Sequence, residues 1–237
     1  MRKKLTSIII PTFNEKGNIV ALLKEILKVA SENNLNIEIV VVDDNSPDKT
    51  ASVLRKVFLK EKRVQLFVRT KEKGLASAIL LGIEKSKGRV ILGMDADFNH
   101  PPSLIPGILE KLETCGLVVA SRFVKGGGMG DRGRYWGTFT FNLLLKYLLG
   151  FPTMDNMSGF YAISKEKLLR LPMRLIYRGY GDYHLRLLHF AKMAKLKICE
   201  VPVYYPKRKY GQSKSNLSKL VFSYTLVALK LRILGND

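Results

Sequence analysis

Asp95 and Asp97 stand two residues apart where the apolar run Val90 to Met94 ends. Carboxylates with this spacing at a strand end converge as the chain leaves a sheet, and such hard oxygen pairs suit Mg2+ or Mn2+ shared with substrate phosphates. A lone D-x-D can also be no more than a polar strand-to-loop turn. Here a second acidic pair, Asp43-Asp44, ends another apolar run, and basic residues lie in the loops beyond. Carboxylates, metal and phosphates would then form a stack of alternating charge. The three histidines do not make a metal site by spacing: His184 and His189 are five apart, poorly aligned on one helix face, and His100 sits beside Pro101. His184 reads as pocket lining and His189 as structural. Cys115 and Cys199 lack the context of a nucleophile. Two cysteines so distant in sequence do not point to a disulfide framework, so they read as core residues of a protein in a reducing cytoplasm.

These side chains need elements to carry them. Leu5 to Ile10 reads as a buried strand stopped by Pro11, and Asn18 to Glu32 carries apolar residues at helical spacing. The alternation repeats: strand Ile37 to Val42, helix Asp48 to Leu59, strand Val64 to Val68, helix Leu75 to Lys87, strand Val90 to Met94 and strand Leu117 to Ala120. The pattern predicts an α/β fold, a mixed, mostly parallel sheet with helices on both faces, whose ligands gather at the carboxyl ends of the strands. After Ser121 the rhythm changes. A glycine-rich loop (Arg122 to Gly130) precedes a helical stretch, Tyr135 to Leu149, and a short strand, Ser158 to Ile163. A helix (Gly181 to Ala194), a strand interrupted by Pro202 (Ile198 to Tyr204) and a terminal helix (Leu217 to Leu234) follow. No linker or repeat divides the chain. It reads as one domain of residues 1–121, 122–215 and a C-terminal helix, 216–237, in which the second half completes the site.

The composition bounds the function. With 237 residues, 46% of them hydrophobic, the chain can bury a core without metal or disulfide staples. Against 20 Asp and Glu stand 40 Lys and Arg, a formal net charge of +20 that implies polyanionic company. The basic start lacks a cleavage site, and the longest charge-free stretch, Phe98 to Leu109, is 12 residues and holds two adjacent prolines. No signal peptide or spanning helix is therefore expected, since a span needs roughly 20 apolar residues. A nucleic-acid binder would account for the charge, but no zinc-ligand spacing, RNP-like aromatic motif or helix-turn-helix signature accompanies it, so no nucleic acid is expected as a partner.

A set of strings in order carries a resemblance: Ile9-Ile-Pro-Thr-Phe-Asn-Glu15, Val41-Val-Asp-Asp-Asn-Ser-Pro-Asp48, Lys73-Gly-Leu-Ala-Ser-Ala78 and Met94-Asp-Ala-Asp-Phe-Asn-His-Pro-Pro102. Later come Ser121-Arg-Phe-Val-Lys-Gly-Gly-Gly128, Asp155-Asn-Met-Ser-Gly-Phe160, Glu200-Val-Pro-Val203 and Arg208-Lys-Tyr-Gly-Gln-Ser-Lys214. Together they resemble family 2 glycosyltransferases of the GT-A (Rossmann-like) fold, and more narrowly the dolichyl-phosphate (polyprenyl-phosphate) mannosyltransferases. The resemblance runs from Ser7 to about Lys214.

It implies roles position by position. Pro11, Glu15 and Asp43 would hold the nucleobase and ribose, with Asp44 nearby in the same pocket. Asp95, Asp97 and Asn99 would bind Mg2+ or Mn2+ bridging the donor diphosphate; relatives commonly have Gln at Asn99, so the shorter amide leaves direct ligation and a bridging water both open. Arg122, Arg134 and Arg208 match positions that contact the acceptor phosphate or donor diphosphate, where guanidinium forks suit phosphate oxygens. Thr138 falls where the family usually has Ser and keeps a hydroxyl for phosphate. Ser213 and Lys214 would belong to a flap over the donor. Asp182 lies where family members place a carboxylate facing the acceptor, as general base for a hydroxyl or as a positioning group for a phosphate.

The implied reaction is inverting transfer of mannose from GDP-mannose to a dolichyl or polyprenyl phosphate at the cytoplasmic face of a membrane. Two alternatives share the residues: UDP-glucose or another nucleotide sugar as donor, or a saccharide hydroxyl as acceptor. A third is a catalytically silent, membrane-associated scaffold. From Lys195 to Asp237 nine Lys and Arg face two acids, enough to matter at an anionic leaflet. Leu217 to Leu234 reads either as an interfacial helix or as a core helix docked on the domain. Relatives with C-terminal transmembrane helices lead to the expectation that this basic end, or a membrane-spanning partner subunit, anchors the enzyme peripherally.

Overall fold

The computed structural model describes residues 4–206 and 217–235. Its first half is a run of parallel strands joined by helices: β1 (Thr6–Thr12), α1 (Ile19–Glu32), β2 (Ile37–Asp43), α2 (Thr50–Val57), β3 (Val64–Val68), α3 (Leu75–Lys85) and β4 (Val90–Gly93). There follow α4 (Ile105–Leu112), β5 (Leu117–Ser121), β6 (Gly128–Met129), α5 (Arg132–Leu149) and β7 (Tyr161–Ser164). The chain closes with α6 (Lys165–Leu169), α7 (Met173–Ile176), α8 (Tyr183–Met193), β8 (Ile198–Pro202), β9 (Tyr204–Tyr205) and α9 (Leu217–Leu234).

Seven strands form one sheet in the order β3-β2-β1-β4-β7-β5-β8, all parallel except β7, which runs antiparallel between β4 and β5. The mixed, mostly parallel sheet expected from the sequence is therefore present. Successive residues of the central strands serve opposite faces. Ile9, Val40 and Val42 join α3, α5, α8 and α9 in one core, while Ile8, Ile10, Ile39 and Val41 join α1, α2 and α4 in the other. Burial on both sides is why these strands read as continuous apolar runs.

The order also locates the site. From β1 the chain steps to β2 and β3 on one side, then returns to place β4 on the other side of β1. Loops leaving β1 and β4 diverge there and open a crevice at the carboxyl ends. The register pairs Ile9 with Gly93, so Pro11, still paired with β2, stands level with Asp95, where the chain has already left β4.

Several expectations need correction. Pro11 does not stop β1: it lies within the strand opposite Val42, and pairing ends only at Thr12 opposite Asp43. The stretch containing Pro101 and Pro102, left without an element, turns through a short 3-10 helix into α4, with Pro106 in its first turn, where a missing N–H costs nothing. The glycine-rich loop is partly ordered as β6, paired in parallel with β9. Cys115 and Cys199 are not independent core residues: they form a disulfide across the β5–β8 edge, where the register pairs Val118 with Cys199. Their separation of 84 residues hid a pairing that only the sheet order creates.

Candidate active site

Three strand ends meet at the crevice, and each reverses through a residue other than glycine in the left-handed region: Asn14 after β1 (φ 57°), Asn45 after β2 (φ 54°) and Phe98 after β4 (φ 62°). Asparagine tolerates this region; an aromatic residue there carries strain of a kind that gathers at functional sites. The turn at Phe98 lets the chain fold back on Asp97. Asn99 donates to it twice, from its backbone N–H at 3.2 Å and from its side-chain amide at 2.7 Å. Asn99 thus orients Asp97. Behind them His100 is 1% exposed; its Nδ1 accepts from the Asp95 N–H at 2.8 Å and its Nε2–H donates to the Ser158 carbonyl at 3.1 Å. Its ring stacks on Phe160 and lies 3.7 Å from an Asp95 carboxylate oxygen.

The side chain of Asp95 is 42% exposed, and Asp97 is half-buried beside it. Two carboxylates and an amide oxygen, without thiols, are the hard donor set that suits a divalent ion keeping phosphate and water oxygens in its shell. Among the described residues no group of three His, Cys, Asp or Glu side chains forms a closed metal cage.

Across the crevice, the loops after β1 and β2 are knitted together. The Asn14, Glu15 and Lys16 N–H groups donate to Ser46 Oγ, Thr50 Oγ1 and Asp48, at 2.9 to 3.1 Å. Asp43 is fully buried, accepting from the Thr12 hydroxyl and from both the N–H and hydroxyl of Ser46. Asp44 forms a buried ion pair with Arg69 and accepts from the Gly74 N–H at 2.7 Å. Arg69 also reaches Ser77 and the Gly74 carbonyl, fixing the start of α3. Glu15 holds Asn18, and Pro11 is half-buried near the end of β1. Lys73 lies over the exposed Phe13 ring, 5.9 Å from its centroid.

On the opposite side, Arg122 is buried in a forked ion pair with Asp155 and its guanidinium lies 5.0 and 4.9 Å from the Phe123 and Tyr205 rings. Burial opposes its charge, but Asp155 wins and holds the guanidinium more firmly protonated than usual. Arg134 and Thr138 lie one turn apart in α5, capped by Asp131, and the Thr138 hydroxyl donates to the Arg134 carbonyl at 2.7 Å. Asp182 is buried, 2.7 Å from Arg186, and accepts from the Tyr180 N–H at 2.8 Å.

The family profile described as Glycosyl transferase family 2 matches residues 7–171. The chain belongs to this family. A dolichol-phosphate mannosyltransferase of Pyrococcus furiosus is 34% identical over 223 residues, covering 92% of this chain. This chain spans 61% of that relative's length. A dolichol-phosphate mannosyltransferase of Saccharomyces cerevisiae is 30% identical over 92% of this chain and 83% of its own. Among solved structures, glucosyl-3-phosphoglycerate synthase of Mycobacterium tuberculosis, in complex with Mn2+ and UDP-glucose, shares the fold with a TM-score of 0.71. It is 20% identical, with 99% of this chain and 80% of that chain covered.

In this family 2 chain Pro11, Glu15, Asp43, Asp44, Asp95, Asp97 and Asn99 gather at the ends of β1, β2 and β4. Arg122, Arg134, Thr138 and Asp182 belong to the segments that follow β5. Arg208, Ser213 and Lys214 lie outside the described residues. Sequence reasoning missed the residues that hold others in place: Arg69, His100, Asp155 and Glu200, the last accepting from the Met154 and Asp155 N–H groups. Asp155 and Glu200 open two of the ordered strings and His100 stands within five residues of Asp95, whereas Arg69 carried no signal. His184, read as pocket lining, lies in the core between Tyr161 and Tyr183, and neither ring nitrogen has a hydrogen-bond partner. His189 donates from Nε2 to the Gly235 carbonyl, a structural role as expected.

Proposed function

We propose that this enzyme transfers mannose from GDP-mannose to a dolichyl or polyprenyl phosphate, inverting the anomeric carbon. The single observation that carries the acceptor class is the engagement of Asp182 with Arg186 and the Tyr180 N–H. A hydroxyl acceptor must lose a proton as it attacks and needs a base poised for it. A phosphate monoester, with a second pKa of about 6, is already largely dianionic at neutral pH. What it needs is fixed positive charge and alignment, and the acceptor side is built of arginines held by carboxylates. The names of the two relatives point the same way.

Pro11, Glu15 and Asp43 hold nucleobase and ribose in this reading, with Asp44 shaping the pocket through Arg69 and the Gly74 turn. Asp95 and Asp97, steadied by His100 and Asn99, would hold Mg2+ or Mn2+, which supplies positive charge to the departing diphosphate. Arg122 has N–H groups left beyond the two given to Asp155, and with Arg134, Arg208 and the Thr138 hydroxyl it aligns the phosphates. The acceptor phosphate oxygen attacks C1 opposite the leaving nucleotide, and little covalent chemistry is left to side chains.

The enzyme works at an anionic membrane surface. No helix among the described residues is long and apolar enough to cross a membrane. α9 is docked on the core through Tyr224, Val227, Ala228 and Leu231, yet it exposes Phe222, Leu226, Leu229 and Ile233. α5, which packs beside it, exposes Trp136, Leu144 and Tyr147. Apolar side chains flanked by basic ones suit a headgroup boundary. The test is turnover of radiolabelled GDP-mannose against UDP-glucose with polyprenyl phosphate in anionic vesicles. Organic-soluble label from GDP-mannose is the expected product; label from UDP-glucose alone, or none from either, overturns the assignment.

A further inference from the structure

α9 does more than cover the core. Its Tyr224 is 5% exposed and points at the segment that enters α8. A Cβ built on Gly181 would stand 2.5 Å from the Tyr224 hydroxyl oxygen, so that oxygen rests directly on the Gly181 backbone. Gly181 precedes Asp182, and the segment is wrapped tightly around that carboxylate. Gly179 adopts φ +73°, the Tyr180 N–H donates to one Asp182 oxygen, and Arg186 Nη1 donates both to the other oxygen and to the Arg178 carbonyl. Tyr183, two residues beyond Gly181, lies with its hydroxyl by Gly159, where the His100 ring also packs. The acceptor-side segment therefore touches α9 on one flank and the support of Asp95 on the other.

Burial raises the Tyr224 hydroxyl above its ordinary range, and the Asp182 and Asp95 carboxylates raise it further. It remains a protonated hydroxyl at any working pH and feels both carboxylates.

We propose that Tyr224 is a positioning residue of the acceptor side: seated on Gly181, it holds the segment presenting the Asp182–Arg186 pair and makes α9 a wall of the active site. The inference rests on reading Asp182 as an acceptor-side residue. It assigns the C-terminal helix a part in catalysis as well as in surface docking, because a displacement of α9 reaches Asp182 through one contact.

The contact can be broken and restored sterically. Gly181→Ala places a methyl against the hydroxyl, and Tyr224→Phe removes the hydroxyl while keeping the ring. Wild type, both single variants and the double variant would be compared as full chains, with KM measured separately for GDP-mannose and a short, water-soluble prenyl phosphate. The expected result is a rise of about tenfold in the prenyl-phosphate KM of Gly181→Ala with the GDP-mannose KM unchanged. The double variant recovers most of that loss, and Tyr224→Phe alone shows a smaller rise of the same kind. Equal changes in both KM values, or no rescue in the double variant, mean that Tyr224 only packs, and the proposal is wrong. If wild type forms no product from this pair, the substrate reading fails and amide exchange decides the contact. Faster exchange over residues 178–186 in Gly181→Ala, reversed in the double variant, upholds it, and unchanged exchange overturns it.

Discussion

Arg122 and Asp155 meet as a buried, two-pronged ion pair, with arginine Nε and Nη2 each 2.7 Å from a different carboxylate oxygen. The Arg122 backbone N–H donates to the same carboxylate at 3.0 Å, and Glu200 accepts from the Asp155 N–H. Burial alone would raise the Asp155 carboxyl, but the charge and hydrogen bonds of Arg122 hold it below its ordinary value. The pair ties the end of β5 to the segment entering β7 and fixes a buried cation between them. Asp155→Ala strands that cation between Phe123 and Tyr205, and uncompensated buried charges cost about 3–5 kcal/mol. Urea unfolding should show a loss of that size, with Asp155→Asn losing less.

His184 makes stability depend on pH. Burial, with Arg122 and His100, lowers its pKa from 6.5 to about 4 against the opposing pull of Asp155. The unfolded chain therefore takes up the proton first as the pH falls. The contribution is complete above about pH 6.5 and drains between there and pH 4, to a total of about 3 kcal/mol. Unfolding free energies at pH 7, 5.5 and 4.5 should fall more steeply for wild type than for His184→Leu; parallel slopes would contradict the assignment.

The Cys115–Cys199 disulfide closes a loop across a separation of 84 residues, and chain-entropy arguments give such a link on the order of 4 kcal/mol. Reduction, or Cys199→Ser, should lower the thermal midpoint by several degrees. A midpoint indifferent to reductant would show that the link does not contribute.

Asp97→Ala should remove Mn2+ binding measured by titration calorimetry and reduce metal-dependent turnover by roughly 100-fold or more. Near-normal rate at saturating Mn2+ would mean that the metal is held elsewhere.

Asp182→Asn keeps a hydrogen-bonding group beside Arg186. With a phosphate acceptor, kcat should fall by less than about tenfold and keep the shape of its pH profile. A loss of roughly 10³-fold with a vanished limb in the profile would return Asp182 to the role of base and favour a hydroxyl acceptor.

The elements that carry local periodicity were legible without coordinates. Val64–Val68 and Leu217–Leu234 coincide with the expected boundaries, because apolar spacing and turn residues are local signals. No helix was assigned to the proline-bearing stretch Phe98 to Leu109, yet α4 starts within it with Pro106 in its first turn, where proline is tolerated. Pro11 misled in the same way: it ended the strand on paper but lies within β1 opposite Val42.

The carboxylates at the strand ends, the charge of +20 and the ordered motifs were determined by sequence alone, since each depends on residue type and spacing along the chain. Which groups those residues hold was decided only by tertiary structure. Asp155 finds Arg122 across 33 positions, Asp44 finds Arg69 across 25, and Cys115 finds Cys199 because β8 pairs with β5. Tyr224 reaches Gly181 because α9 docks on the face where α8 begins. Such pairings have no spacing rule. They arise when strand order and helix packing bring distant segments into a low-dielectric interior, where a charge or hydroxyl must find its partner.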